Sequence, residues 1–414
     1  MGLTQVSTDG VKNDAITKAK IPANQIEASE LADNAVDTNA IADQAVALSK
    51  LPHGDGSSDG KFLRANNGAD PTFETVSTTP ADGSITQAKL NFPVANRNLI
   101  INGAMQVAQR GTSSNSSGYQ TVDRFSHSGS GWDEAMAQIQ GTVGSGVTPY
   151  ELGFRKTFKI QNGNQSSGAG SNDYLHAVYA IEDQDLATSG WNYTSASSHI
   201  TFSFWVKSSV AQNFYFYFQS DNNSQYRYVM ETGSLSANTW TKVTKTIPGN
   251  SNIVLNSDNG VGMFIVWNIF DGTDRTGTRP LNAWAVLDNA NRTPDQTSTW
   301  YTTNNATFEI TGVQLEVGSV STDFEHKSFA QELALCERYY QDSYEYHHLN
   351  AQNGESDRWI RFRTEMRAGP SVSTSPTNSV SFGVHVATAN GFSGDGSGNG
   401  HANFNLGWTA SSEL

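Results

Sequence analysis

Cysteine, charge and, over its first 90 residues, aromatic side chains are scarce in this sequence, and each shortage excludes something. A single cysteine, Cys336, rules out an intramolecular disulfide and a cysteine-based zinc site. Charged residues make up only 16% of the 414 residues and the formal net charge is −14, so nucleic acid is not an expected partner. The longest apolar run, residues 261–270, is too short to span a bilayer and contains Asn268, so no membrane insertion is expected. The opening "MGLTQVSTDG" is polar and lacks the apolar stretch of a secretory signal, which fits synthesis in a cytoplasm. Residues 1–90 hold only two aromatics, Phe62 and Phe73, too few for an ordinary globular core.

That aromatic-poor segment holds a decapeptide repeat instead. Its aliphatic residues fall at every fifth position: Ile16, Ile21, Ile26, Leu31, Val36, Ile41, Val46 and Leu51, then Ile85 and Leu90 in a last partial copy. A step of five makes neither a helical stripe nor one face of a strand. Several chains around a common axis could bury such a set; against the alternative of a disordered polar linker, the regular aliphatic spacing favours a thin oligomeric shaft with these residues on its axis. Between the repeats, "KFLRA" and "TFETV" flank Asn66-Asn67-Gly68 and predict a small β-insert. Gly56-Ser57-Ser58-Asp59-Gly60 matches the hydrolase pattern G-x-S-x-G in form only. It lacks the preceding core strand and following helix that the chemistry needs, and reads as a loop.

From residue 92 the pattern becomes that of an antiparallel sandwich. "TFSFWVK" puts Phe202, Phe204 and Val206 on one face; "NFYFYFQ" puts Phe214, Phe216 and Phe218 opposite Tyr215 and Tyr217. "RNLIINGAMQVAQRGTSS" predicts a further short strand, and "SFAQELALCERYYQ" one helix with Phe329, Leu333, Cys336 and Tyr340 along a stripe. Beyond it, "RWIRFRTEM", "SVSFGVHVA" and "HANFNLGWTASSEL" predict a compact β-domain. The expected architecture is mainly β. It comprises an N-terminal attachment and shaft segment (1–52), a β-insert with the last repeat (53–91), a jelly-roll sandwich ending in a helix (92–341) and a distal β tip domain (342–414).

Two stretches carry a resemblance. "NLIINGAMQVAQRGTS" with "YQTVDRF" resembles an opening, and "ITGVQLEVGSVSTDFEHKSFAQELALCERYYQ" an ending, of sandwich domains in tail fibres of tailed bacteriophages, particularly marine ones. Those domains are similar in pattern to jelly-roll carbohydrate-binding modules. "FRTEMRAGPSVS" and "GWTASSEL" resemble the distal domain that follows, and the decapeptides resemble shaft repeats. The resemblance implies a homotrimeric virion protein. Its N-terminal end would attach to a tail nozzle, adaptor or baseplate protein, and its C-terminal end would meet a host-surface glycan or lipopolysaccharide. A large N-terminal anchoring domain of that family has no counterpart here, which leaves docking to the first residues and repeats.

Sugar binding by stacking and hydroxyl hydrogen bonds suggests candidate residues. On the sandwich, Trp205, Tyr215 and Tyr217 lie opposite the phenylalanine face and would form a platform if exposed. In the tip, Tyr346, His348, Phe392, His401 and Trp408, with Tyr344 and His347 nearby, lie in or beside Gly-, Asn- and Ser-rich stretches suited to a binding end. His347-His348 makes poor ligand geometry on a strand, and the acidic turns at 271–274 and 182–185 match no full calcium loop, so no metal or cofactor is expected. No metalloprotease or phosphate-loop motif occurs, and a multivalent adhesin rather than an enzyme is expected. The alternatives are a polysaccharide depolymerase or esterase with a sugar-binding jelly roll, and a structural tail component.

Overall fold

The computed structural model describes residues 17–21, 61–66, 69–75, 96–223, 225–350, 357–377, 380–397 and 401–414. The chain divides into two compact units, Met1–Asp82 and Gly83–Leu414. In the first, β1 (Lys61–Asn66) and β2 (Ala69–Thr75) form an antiparallel hairpin. This is the insert expected from its turn residues. Of the proposed axis residues only Ile21 is described, and it is exposed. Ile16, Ile26, Leu31, Val36, Ile41, Val46, Leu51, Ile85 and Leu90 lie outside the described residues, as does the 56–60 pentapeptide.

In the second unit the strands in chain order are β3 (Ser113–Ser114), β4 (Phe125–Ser130), β5 (Ala137–Thr142), β6 (Lys156–Gln161), β7 (Tyr174–Glu182), β8 (His199–Ser208), β9 (Asn213–Ser220), β10 (Tyr226–Ser234), β11 (Thr241–Pro248), β12 (Val261–Asp271), β13 (Trp284–Val286) and β14 (Thr307–Val317). They build two six-stranded antiparallel sheets, ordered β13-β10-β9-β12-β7-β4 and β11-β8-β14-β6-β5-β3. The mainly β fold is consistent with a jelly-roll sandwich. Period-two alternation decides the core. Phe202 and Phe204 of the second sheet meet Phe218 and Phe216 of the first at ring distances of 5.1 and 5.1 Å. Trp267 on β12 closes the same cluster, 5.9 Å from Phe202 and 5.7 Å from Phe204. Each such buried ring contributes roughly 1.5–3 kcal/mol of transfer free energy.

Three α-helices occur among the described residues: α1 (Thr148–Glu151), α2 (Asp183–Ala187) and α3 (Phe329–Glu337). The first two are single turns that the strand pattern did not predict. The inward face of α3 differs from the expected stripe: Glu332, Cys336 and Glu337 are buried, Phe329 is exposed, and Tyr340 already belongs to the next strand. The reason is that the helix serves as a polar clamp. Glu332 accepts from the backbone N–H of Asn102 at 2.8 Å, and Glu337 accepts from Arg363 at 2.7 Å.

Within residues 97–114, where a short strand is expected, only Ser113–Ser114 is strand; the rest is irregular. It is an extended piece stitched to the end of the sandwich. Glu325 accepts from the backbone N–H groups of Arg97 and Asn98 at 2.9 and 2.8 Å. Asn98 bridges to the Val313 carbonyl and the Leu315 N–H, and Val313 donates to the Gly103 carbonyl at 2.9 Å. The two motifs that bracket this region in sequence are therefore bonded to each other in space.

The C-terminal β-domain, called the tip below after the expectation for residues 342–414, follows directly. Its strands are β15 (Tyr340–Asn350), β16 (Asp357–Arg361), β17 (Ser371–Pro376), β18 (Ser381–Thr388), β19 (Gly391–Ser397) and β20 (His401–Ser411). They form two three-stranded antiparallel sheets, β15-β20-β17 and β16-β19-β18. Ile360, Met366, Phe382, Phe392, Phe404, Leu406 and Trp408 make a separate apolar core. Arg124 fastens tip to sandwich: it lies 3.5 Å from the Tyr339 ring centroid and pairs with Glu413.

Candidate functional site: exposed aromatics on the tip

Among the described residues the exposed tyrosines and tryptophans are Tyr344, Tyr346 and Trp359, and all three stand on the tip. Large rings are normally buried, so exposed ones are candidates for contact with a ligand.

Tyr344 and Tyr346 are two residues apart on β15, so both project from the outer face of the β15-β20-β17 sheet. Across the sheet they meet small polar residues. Tyr344 pairs with Gly407, which pairs with Ser375; Tyr346 pairs with Asn405. The bulky inward side chains of β20 alternate with these. Phe404, Leu406 and Trp408 point into the tip core, while Asn405 and Thr409 remain partly exposed. Gly407 keeps the floor low: a Cβ there would come 2.6 Å from Ser375 Oγ and 3.4 Å from Tyr344 Cδ2.

Trp359 stands on the other sheet. Its strand neighbours are Ser393 and, beyond it, Val386, which is exposed. With Arg361, Phe362 and Asn390 it lines an open cleft of about 520 Å³. The backbone of Gly391 supports the ring. A Cβ at that position would lie 2.3 Å from the Ile360 carbonyl and 3.1 Å from Trp359 Cε2, so only glycine allows this approach. The N–H of Phe362 donates to the Asn390 carbonyl at 3.1 Å, which holds the cleft's two walls together. The volume falls within the range of small-molecule sites. A flat ring, a guanidinium and an exposed amide suit a pyranose, whose C–H face stacks while its hydroxyls accept and donate hydrogen bonds.

The expected sandwich platform does not exist as one surface. Trp205 is on β8 in one sheet, whereas Tyr215 and Tyr217 are on β9 in the other, so their outward faces lie on opposite sides of the sandwich. The chain crosses between sheets at 209–212, a step that alternation along each strand cannot reveal. Tyr217 is moreover buried against Val229 and Val266, and Tyr215 is partly covered. Trp205 lines a narrower cleft of about 220 Å³ with Phe154, Ser203, Lys242, Phe324 and His326. Phe154, Phe324 and His326 pack on each other there at 4.9–5.2 Å, and the His326 ring nitrogen Nε2 lies 2.9 Å from the Leu152 carbonyl.

Two tip candidates are corrected as well. Phe392 is fully buried and Trp408 is 4% exposed; they meet edge to face, ring centroids 5.4 Å apart, in the tip core, where their apolar area is removed from water. Tyr346 is exposed as expected. His348 and His401 sit on β15 and β20, their side chains outside the described set. Trp359 was missed because "RWIRFRTEM" alternates tryptophan with isoleucine and phenylalanine, and nothing in the string says which face turns outward. Among the described residues no group of three or more histidine, cysteine or acidic side chains is placed to hold a metal ion, and no helix is long and apolar enough to cross a membrane.

The class defined by these features is an antiparallel β-sandwich carrying a small all-β domain with exposed aromatics. No family model matches the chain, and no curated protein matches it. Among solved structures, the enzymatically active domain of bacteriophage CBA120 tailspike protein 4 is similar at 11% identity and TM-score 0.29, over 53% of this chain and 21% of that one. The N-terminal cellulose-binding domain of Cellulomonas fimi β-1,4-glucanase C is similar at 9% identity and TM-score 0.25, over 52% and 99%. The family 11 carbohydrate-binding module of Clostridium thermocellum, solved with a mixed-linked tetrasaccharide, is similar at 12% identity and TM-score 0.22, over 49% and 91%.

Proposed function

We propose that this chain is a homotrimeric phage tail fibre that binds a host-surface glycan through its tip. The observation that carries the reading is the confinement of exposed tyrosine and tryptophan, among the described residues, to Tyr344, Tyr346 and Trp359, each beside small polar or hydrogen-bonding residues on a β-scaffold. Sugar contacts of this kind are individually weak. Three copies per fibre, and several fibres per particle, would raise avidity by about 10²–10⁴ through effective concentration. The N-terminal repeats supply the shaft, and the N-terminal segment attaches to a tail nozzle, adaptor or baseplate protein. The mode of action is adhesion without turnover.

The test is adsorption of purified fibre to host cells, with wild type compared against Trp359→Ala and the double variant Tyr344→Ala/Tyr346→Ala. All three positions are exposed, so folding should survive and binding should drop at least tenfold for one of the two variants. Unchanged adsorption in both would move the receptor site off the tip. Release of reducing ends from purified host polysaccharide would replace adhesion with depolymerisation.

A further inference from the structure

Helix α3 is built inside out. Its buried positions hold Glu332, Cys336 and Glu337, whereas its solvent face carries Phe329, Ala330, Ala334 and Leu335, with Phe329 55% and Leu335 36% exposed. A surface helix ordinarily turns its apolar residues inward. Here the carboxylates fix the helix from below: Glu332 accepts from the backbone N–H of Asn102, and Glu337 accepts from Arg363. The reciprocal cap of Ser328 and Gln331 holds its first turn. The apolar face is therefore held in place before anything covers it.

The same helix borders a cleft of about 480 Å³. Leu335 lines it together with Leu99, Ile101 and Val317, none of which is fully buried. Arg97, Asp185 and Lys327 add charged groups to the lining. Aliphatic area with charge beside it is the make-up of a contact between proteins.

Asn96 lines this cleft too, and its place in the chain says which protein covers it. The last aliphatic residue of the five-residue series is Leu90, so from it to Asn96 the backbone reaches at most about 21 Å. On the reading of the repeats as a shared axis, on which this inference rests, the Asn96 ends of three copies lie within about 40 Å of one another. A tether this short holds neighbouring sandwiches at roughly millimolar effective concentration. The cleft and α3 stand at the tethered end, so the surface that the copies bring together is this apolar one.

We propose that the solvent face of α3 and the adjoining cleft form the contact between the sandwiches of neighbouring copies of this chain. The contact buries Phe329 and Leu335, which removes their apolar area from water. It also joins the three sandwiches at the end of the shaft, so that the three tips approach a surface as one body.

The experiment compares the rate of maleimide labelling of Ala334→Cys, in the middle of the exposed helix face, with that of Ala290→Cys on a loop of the same sandwich. Both alanines are exposed in the single chain, and Cys336, the one native cysteine, is buried, so wild type supplies the background. Both variants are made in the full chain, and native mass spectrometry gives the copy number of each. In the three-copy particle Ala334→Cys labels roughly tenfold more slowly than Ala290→Cys, because a covered face excludes the reagent along with water. Adding Phe329→Ser and Leu335→Ser to Ala334→Cys restores the rate. Equal rates in a three-copy particle overturn the proposal and leave the face to a different protein. A slow rate that survives both serine substitutions also overturns it. A single-chain mass overturns the shaft reading and this inference with it, so the two failures are distinguishable. If Ala334→Cys does not fold, Ala330→Cys, exposed on the same face, replaces it.

Discussion

Gly103 shows how much a single atom decides. A Cβ at this position would fall 2.1 Å from the Val313 carbonyl oxygen, on the seam that joins the opening segment to β14. Gly103→Ala therefore forces that backbone apart, and a loss above about 2 kcal/mol is expected in chemical denaturation. Asp123 and His127 make a second residue-scale case. Burial pushes the Asp123 carboxyl up from 3.8 to about 6, against the hydrogen bonds it accepts from Gln109. The folded state thus holds its proton longer than the unfolded chain, so this residue's contribution to stability falls as pH rises from about 4 to about 6. Burial pushes His127 the other way, from 6.5 to about 4, so its contribution grows as pH rises over nearly the same interval. Each effect is roughly 3 kcal/mol, and in the wild type they oppose one another. Relative to wild type, the stability of Asp123→Asn should rise with pH between about 4 and 6, and that of His127→Gln should fall. Denaturation midpoints across pH 4–7 test both signs.

Elements were legible where their period was regular. The alternations around Phe202–Val206 and Phe214–Phe218 predicted β8 and β9 and their buried faces, because a strand on a two-sided core must alternate. Helix α3 was legible as a helix but not in its orientation. Ser328 and Gln331 form a reciprocal cap at its start, and the buried positions are then taken by Glu332 and Glu337, whose partners come from residues 102, 363 and 364. Apolar periodicity cannot anticipate a buried carboxylate whose partner is more than 200 residues away. Removing the cap with Ser328→Ala should cost about 1 kcal/mol, read from thermal unfolding, with no change in glycan binding.

For the whole molecule, the shaft proposal makes an oligomer obligatory. Native mass spectrometry of the full chain should show three copies, and a single-chain mass would remove the basis for reading the five-residue spacing as a shared axis. Charge substitution on that axis gives a second check. Ile26→Asp with Ile41→Asp should shift the population toward monomers, while the tip's binding to a soluble monovalent sugar stays unchanged. Loss of trimer then appears only in cell adsorption, as lost avidity.

By itself the sequence determined the change of pattern along the chain: an aromatic-poor repeat segment, then an aromatic-rich region of alternating strands. It did so because burial needs large side chains and strands need alternation, and both are written locally. Only the tertiary structure decided which rings face outward. Trp205 and Tyr217 point to opposite sides because the chain changes sheets between them, and Phe392 and Trp408 fill a core while Trp359, one residue before buried Ile360, stands clear. Alternation says that two neighbours face opposite ways. Which of those ways is solvent depends on the strands and sheets that pack from elsewhere in the chain.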